Sequence, residues 1–135
     1  MKLVIISPCF NAQKNIEQLV QSIVQQNDNR WELILIDDMS NDDTVSVMKA
    51  LSETNSNVSY IKNTEKKYAL KNIVEIARKY QDSKDIVIGV VDGDDSLCNP
   101  DTVGLVLSEY ETGADAVWTA HRWDINNMNI SKNMP

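Results

Sequence analysis

The sequence contains little cysteine, little positive charge and no long apolar run. Its two cysteines, Cys9 and Cys98, do not lie in a Cys-x-x-Cys or other metal-binding spacing within the 135 residues. A disulfide framework or a cysteine-ligated metal site is therefore not indicated. We expect two reduced, buried thiols in a cytoplasmic protein.

Long apolar segments are absent as well. A membrane-spanning helix needs about 20 consecutive apolar residues, and no stretch of the sequence approaches that length. The apolar run at residues 3–6 meets Pro8 almost at once, which makes it too short for a signal peptide. We therefore expect no membrane span in this chain.

Positive charge is scarce, because 13 Lys and Arg residues face 20 Asp and Glu residues, for a net charge of −7. Nucleic acids and anionic membranes both require a basic surface on their partner, so neither is expected as the main partner. A small molecule that carries phosphate groups is still compatible with this charge if a divalent cation mediates the contact.

The most informative stretch covers residues 86–95. Apolar or small residues run without alternation from 86 to 91, which is typical of a strand buried on both faces of a parallel sheet. The run ends in Asp92, Gly93, Asp94 and Asp95. Three carboxylates this close repel one another unless a cation neutralises them, and hard oxygen ligands suit Mg²⁺ or Mn²⁺. A metal site at a strand end is therefore predicted.

Similar apolar runs predict further strands, and helical periodicity predicts four helices between them. The predicted strands cover residues 3–6, 31–36, 58–61, 86–91 and 116–120, and the helices begin near residues 16, 44, 68 and 100. Asn99 is the expected cap of the last helix, Gly113 its end, and Trp118 a core residue. Strands that alternate with helices at this spacing predict one α/β domain with a three-layer, doubly wound, mostly parallel sheet.

Three of the predicted strands end in polar residues, at positions 8–11, 37–40 and 92–96. In open α/β sheets, ligands bind outside the carboxyl ends of the strands. If these three strands are neighbours in the sheet, their polar ends meet in one crevice. Acidic residues after a strand are also common in ordinary turns, so the pair Asp37 and Asp38 alone is a weak signal.

These residues, taken in order, resemble a known family. Residues 5–11 are similar to the opening strand and Pro-x-Tyr/Phe-Asn turn of the family 2 glycosyltransferases with the GT-A fold. Residues 31–44 resemble that family's Glu-hydrophobic-Val-Asp-Asp-x-Ser-x-Asp-x-Thr segment, and residues 92–95 stand where its Asp-x-Asp motif belongs. Each motif is short, but their order and spacing together are fairly specific. The resemblance covers nearly the whole chain and is to the N-terminal, nucleotide-sugar-binding part of the family.

The resemblance implies a pocket for the base of a nucleotide sugar, with a UDP-sugar favoured. Pro8, Phe10 and Asp38 would form it, with Phe10 packing on the base and Asp38 accepting a hydrogen bond from the ring N–H. Asn11 and Asp37 would belong to the same nucleotide-binding set.

The resemblance also implies a metal and phosphate site. Asp95 would bind the Mn²⁺ or Mg²⁺ that bridges the diphosphate, Asp94 would contact the ribose or the metal, and Asp92 is the other acid of the motif. Lys67 or Lys66 stands where the family often has a basic residue near the phosphates; a solvated pair at a helix start is the alternative.

The implied activity is transfer of a sugar to a glycan or other hydroxyl acceptor, with inversion and with metal assistance. The family's acceptor region and catalytic base lie further along than Pro135, and the only histidine, His121, is not a convincing base. A nucleotide-sugar-binding module without turnover is therefore an alternative. A signalling receiver domain is another, because residues 35–38 resemble a receiver's acidic strand end, although no convincing lysine follows a last strand.

Overall fold

The computed structural model describes residues 1–120 as an α/β unit in which strands and helices alternate. The helical segment after the third strand ends in a short 3₁₀ turn at Arg78–Tyr80. The strands are β1 Lys2–Cys9, β2 Trp31–Asp37, β3 Val58–Lys62 and β4 Ile86–Val90, and the helices are α1 Ile16–Val24, α2 Thr44–Thr54, α3 Tyr68–Ala77 and α4 Thr102–Glu111.

The four strands form one parallel sheet in the order β3-β2-β1-β4. Its two faces are covered by different helices. Leu3 and Ile5 of β1 pack into a cluster with side chains of α1, α2 and α4, whereas Val4 and Ile6 pack on the other face with side chains of α3. The predicted three-layer, doubly wound sheet is therefore confirmed. Among residues 1–120, no helix is long and apolar enough to cross a membrane.

Strand β1 extends to Cys9, three residues beyond its predicted end. Its pairing with β4 stops at Ile6, whereas its pairing with β2 continues to Cys9. The carbonyl of Pro8 accepts a hydrogen bond from the Gly93 N–H on the β4 side, at 3.3 Å. Since a residue's N–H and C=O point to the same side of a strand, the N–H that proline lacks would face the side where the ladder has already ended. Pro8 is therefore compatible with a central strand.

Strand β4 packs on both faces but is less buried than predicted. In the described sheet it is an edge strand, only Val87 is buried, and Val90 is 47% exposed. The predicted fifth strand at residues 116–120 is wrong. This segment forms no ladder with β1–β4, and Trp118, expected in the core, is 77% exposed. The apolar pattern of a short segment cannot supply the neighbouring strand that its hydrogen bonds require.

Helix α4 begins at Thr102 rather than at Pro100. The Asn99 side chain accepts a hydrogen bond from the Asp101 N–H at 2.9 Å, which forms a turn before the helix instead of capping it. Gly113, with a φ of +104°, follows the last turn as predicted. Cys98 lies in the exposed loop before α4, so only Cys9 is a buried thiol.

Gly93 lies against the end of β1. A Cβ atom at this position would stand 2.8 Å from Cys9 Sγ and 3.3 Å from Cys9 Cα. Burial raises the pKa of the Cys9 thiol to about 11, despite a hydrogen bond with Ser7, so the sulfur is a neutral packing group. The loop at residues 92–95 thus lies so close to the β1 backbone at Cys9 that a side chain at residue 93 would clash with it.

We predict opposite effects for two glycine substitutions. Gly93→Ala should lower the free energy of unfolding by about 1–3 kcal/mol through overpacking against Cys9. Gly104→Ala, inside α4, should raise it by about 0.5–1 kcal/mol, because the nearest atom to the added Cβ is Asp28 Oδ2 at an ordinary 3.5 Å. Urea unfolding measures both values. A neutral or stabilising Gly93→Ala would contradict the close approach.

Candidate functional site

The carboxyl ends of β2, β1 and β4 lie side by side, as the expected crevice requires. The Asp38 N–H donates to the Cys9 carbonyl at 2.9 Å, and the Gly93 N–H reaches the Pro8 carbonyl. Residues 8–11, 37–40 and the loop after β4 are thus joined at one edge of the sheet. All three non-glycine residues with positive φ in the described chain lie near this edge: Asn11 and Met39 in the loops after β1 and β2, and Tyr68 at the first position of α3. Such backbone conformations are rare and cluster at functional sites.

Asp38 is the most constrained acid at this edge, and it is 4% exposed. Its Oδ1 accepts hydrogen bonds from the Lys67 N–H at 2.8 Å and from Asn63 Nδ2 at 2.9 Å. Its Oδ2 accepts one from the Tyr68 N–H at 2.8 Å. Since Lys67 and Tyr68 begin α3, the carboxylate fixes the start of that helix to the end of β2.

The hydrogen bonds to Asp38 decide its charge. Burial alone would raise its pKa, but donation from the Lys67 N–H, Asn63 and the Tyr68 N–H outweighs burial and lowers the pKa to about 2. The carboxylate is therefore ionised at neutral pH although water is almost excluded from it. A buried, ionised acceptor of this kind can recognise an N–H group.

Phe10 supplies an apolar face next to this acid. It follows β1 and is 53% exposed, which is unusual for a large aromatic side chain. The ammonium of Lys66 lies 3.2 Å from the centre of its ring and 3.6 Å from Asp38 Oδ2. An exposed aromatic face beside an ionised carboxylate can stack a planar, hydrogen-bonding ligand.

Asn11 and Asp37 organise the loops around this acid. The Asn11 N–H donates to Ser40 Oγ at 2.9 Å, and Asn11 Oδ1 accepts from the Asn41 N–H at 3.0 Å. Asp37 is fully buried, and its carboxylate accepts from the Ser40 N–H at 3.3 Å. The Asn11 side chain therefore connects the loop after β1 to the loop after β2, whereas the Asp37 carboxylate holds the turn that directly follows β2.

Lys67 is placed differently from Lys66. Its ammonium donates to Glu75 Oε2 of α3 at 2.8 Å, so the side chain extends along the helix, and its backbone N–H is the group that contacts Asp38. Of the two lysines considered from the sequence, Lys66 is the one whose charge lies over the Phe10 ring and beside Asp38.

The acids after β4 are exposed. Asp92, Asp94 and Asp95 follow the strand in a tight turn, in which the Asp95 N–H donates to the Asp92 carbonyl at 3.0 Å. Within residues 1–120, no three His, Cys, Asp or Glu side chains are close enough together to hold a metal ion. Mg²⁺ is commonly held by one or two carboxylates together with substrate phosphates rather than by a complete protein cage. The exposed carboxylates of this loop are thus oxygen donors that can supply only part of such a coordination shell.

Two asparagines that were not among the predicted site residues complete the surroundings of Asp38. Asn63 follows β3, is buried, and donates from Nδ2 to both Asp38 and Asn72 Oδ1, the latter at 2.8 Å. Asn72 is 2% exposed, and its own Nδ2 has no hydrogen-bond partner. The sequence held one signal for Asn72: it is a polar residue four positions before Ile76 and therefore lies on the buried face of α3. His121 lies outside the described residues.

A comparison with protein families identifies the chain. The model of glycosyl transferase family 2 matches residues 4–133. The chain belongs to this family. Family membership agrees with the resemblance drawn from the sequence motifs, and it accounts for the parallel sheet with its crevice at the carboxyl ends of the strands.

Curated relatives of this family 2 chain are much longer than it is. A GalNAc(5)-diNAcBac-PP-undecaprenol beta-1,3-glucosyltransferase of Campylobacter jejuni is 39% identical over 62 residues, which are 46% of this chain and 20% of the relative. The putative teichuronic acid biosynthesis glycosyltransferase TuaG of Bacillus subtilis is 30% identical over 57 residues, 42% of this chain and 23% of the relative. The matches thus span about a fifth to a quarter of each relative's length.

Solved structures share the fold of this family 2 chain. The mannosyltransferase PcManGT from Pyrobaculum calidifontis, in complex with GDP-Man and Mn²⁺, superposes with a TM-score of 0.70 at 18% identity over 93% of this chain and 36% of the other. TarS 1–349 of S. aureus, in complex with UDP-GlcNAc, has a TM-score of 0.66 at 22% identity over 83% of this chain and 32% of the other. The fold is that of the GT-A glycosyltransferases, as the sequence motifs predicted.

We predict that the Asp38 carboxylate makes the free energy of unfolding fall at low pH. Its folded-state pKa of about 2 is below the unfolded value, so its contribution of about 2 kcal/mol is present above pH 4 and is lost as the pH falls towards 2. Asp38→Asn should lower the free energy of unfolding at pH 7 by about 1–3 kcal/mol, because the amide opposes the N–H donors. In urea unfolding experiments between pH 7 and pH 2, the difference in free energy of unfolding between the unmodified chain and Asp38→Asn should become smaller as the pH falls.

The matched control for this prediction is Asp43→Asn, the same chemical change at an exposed acid before α2 that makes no side-chain capping bond. It should change stability by less than about 0.5 kcal/mol at every pH. An Asp38→Asn difference that stays constant down to pH 2 would contradict the assigned ionisation.

Proposed function

We propose that this chain is the donor-binding part of a glycosyltransferase that moves a sugar from a nucleoside diphosphate to an acceptor hydroxyl, with inversion and with assistance from a divalent metal. The observation that carries the proposal is the buried, ionised Asp38 beside the exposed ring of Phe10. This pair offers a carboxylate acceptor and an apolar face at the sheet edge where α/β folds bind their ligands.

The base of the donor would stack on Phe10 and donate a ring N–H to Asp38 Oδ2. Pro8 would line the same pocket at the end of β1, and Asn11 and Asp37 would hold its loops. Uracil carries such a ring N–H, which favours a UDP-sugar. Nucleotide sugars occur in two similar structures, UDP-GlcNAc with TarS and GDP-Man with PcManGT, which supports a donor of this class.

The diphosphate would lie over the loop after β4. Asp94 would contact the ribose or the metal, and Asp92 and Asp95 would provide carboxylate oxygens to Mn²⁺ or Mg²⁺. The bound cation would neutralise the charge that develops on the departing nucleoside diphosphate. Gly93 keeps this loop against β1. Lys66 adds positive charge at the start of α3, where the ammonium of Lys67 is already paired with Glu75. Mn²⁺ is named in the PcManGT complex, which supports this choice of metal.

Inverting transfer also needs a base that deprotonates the acceptor hydroxyl as it attacks the anomeric carbon. We assign that role to no residue among 1–120, and the matched segments cover 20% and 23% of the curated relatives. A nucleotide-sugar-binding module without turnover is therefore the second candidate. For either candidate, two unpaired cysteines are consistent with a cytoplasmic location, and the relatives' names are consistent with an acceptor in polysaccharide biosynthesis.

We predict that UDP binds more tightly with Mn²⁺ than without it and that Asp95→Asn removes this gain. The substitution keeps the shape of the side chain and removes its charge, so only the metal-dependent part of the affinity should change. Isothermal titration with UDP, with and without Mn²⁺, measures it. The control is Asp82→Asn, an exposed acid in the turn before β4, at the opposite end of that strand. An affinity for UDP that is the same with and without Mn²⁺ would refute metal assistance.

Phe10→Ala should weaken UDP binding by about 1–3 kcal/mol, the usual value of a base stacked on an aromatic ring. The loss should be the same with and without Mn²⁺, because the ring contacts the base rather than the phosphates. Trp118→Ala, at another exposed aromatic residue, is the control and should leave the affinity unchanged. Equal UDP affinity of Phe10→Ala and the unmodified chain would remove Phe10 from the pocket.

A further inference from the structure

Lys66 lies inside the proposed base pocket rather than around it. Its Nζ stands 3.2 Å above the centre of the Phe10 ring, donates to the Asp38 carbonyl at 3.1 Å and lies 3.6 Å from Asp38 Oδ2. The same ammonium lies 5.6 Å from the centre of the Tyr68 ring. One cation thus contacts both groups that the pocket offers to a base.

A base stacked on the face of Phe10 that Lys66 covers cannot share that position with the ammonium. Atoms of a ring stacked on Phe10 would lie about 3.5 Å from its plane, the usual contact distance between non-bonded atoms. Lys66 Nζ already occupies that layer over the centre of the ring. The Lys66 side chain is 34% exposed, so it has solvent into which it can move.

The acceptor capacity of Asp38 leads to the same conclusion. Each carboxylate oxygen has about two lone-pair sites. The Oδ1 atom uses both, for the Lys67 N–H and Asn63. The Oδ2 atom uses one, for the Tyr68 N–H, and its other side faces the Lys66 ammonium. A ligand N–H would bind the remaining acceptor site of Oδ2, and the Lys66 ammonium stands 3.6 Å from that atom.

We propose that Lys66 holds the place of the base in the free protein and is displaced when a base binds. The inference rests on the proposed nucleotide-binding function. A base that displaces Lys66 moves a cation away from the buried Asp38 carboxylate. The base must therefore donate a hydrogen bond to Asp38 to compensate for the lost interaction. Uracil does so with its ring N–H, whereas cytosine presents a lone pair at the same ring position and would be rejected.

Nucleosides test this proposal without interference from phosphate or metal. The unmodified chain, Lys66→Ala and Lys66→Arg are titrated with uridine and cytidine. Lys66→Ala should bind uridine about threefold more tightly or better, because the cation–π contact no longer competes. Lys66→Arg should show no gain, since a guanidinium also covers the ring. Lys71→Ala is the matched control, because Lys71 is an exposed lysine of α3 with only a 3.9 Å contact to Glu65, and it should leave the affinity unchanged.

A second readout follows Lys66 in the unmodified chain. In protein labelled with ¹³C-lysine, the Hε signals of Lys66, assigned by their loss in Lys66→Ala, should be shifted upfield by the Phe10 ring. They should move to the position of exposed lysines on addition of uridine, but not of cytidine.

The outcomes separate the two proposals. Weaker or unchanged uridine binding by Lys66→Ala, or Lys66 signals that do not move when uridine binds, would overturn the role of Lys66 while the pocket stands. Absence of UDP binding by the unmodified chain in the presence of Mn²⁺ would overturn the proposed function and this inference with it.

Discussion

The carboxylate of Asp38 must be ionised in a place that water hardly reaches, and much of the surrounding structure follows from this. A buried charge is tolerated only when donors surround it. The chain provides them from the loop after β3 and the start of α3, through Asn63 and the N–H groups of Lys67 and Tyr68. Tyr68, whose N–H is one of these donors, has a positive φ of 65°. The position of α3, and of the lysines that precede it, therefore depends on one carboxylate at the end of β2.

Much of the fold could be predicted because the determining information is local. Unbroken apolar runs specify β1 and β2, and their polar ends meet because neighbouring parallel strands end at one edge. The surroundings of Asp38 could not be predicted in the same way. Asn63 and Asn72 are separated from it by 25 and 34 positions, and only the packing of α3 on the sheet brings them together. Neither residue belongs to a motif that its own neighbours in sequence define.

The errors concern the side of the sheet beyond β4. The run 86–91 is as apolar as a central strand, yet β4 has a neighbour on one side only in the described sheet, and Val90 is exposed there. Residues 116–120 carry apolar side chains without the partner that would make them a strand. In both cases the apolar composition is compatible with a buried strand. Whether the segment is buried depends on a neighbouring strand or helix that the local sequence does not specify.

The two halves of the crevice are organised differently, and this bears on the order of binding. In the proposed base pocket Asp38 is already held by three hydrogen-bond donors, and the Phe10 ring beside it is covered by the Lys66 ammonium. The acids of the β4 loop, by contrast, form no three-residue group that could hold a metal within the described residues. A cation at that loop needs oxygen ligands from the diphosphate to complete its coordination. We therefore expect the nucleoside to bind without metal, and the metal to bind tightly only after the diphosphate is present.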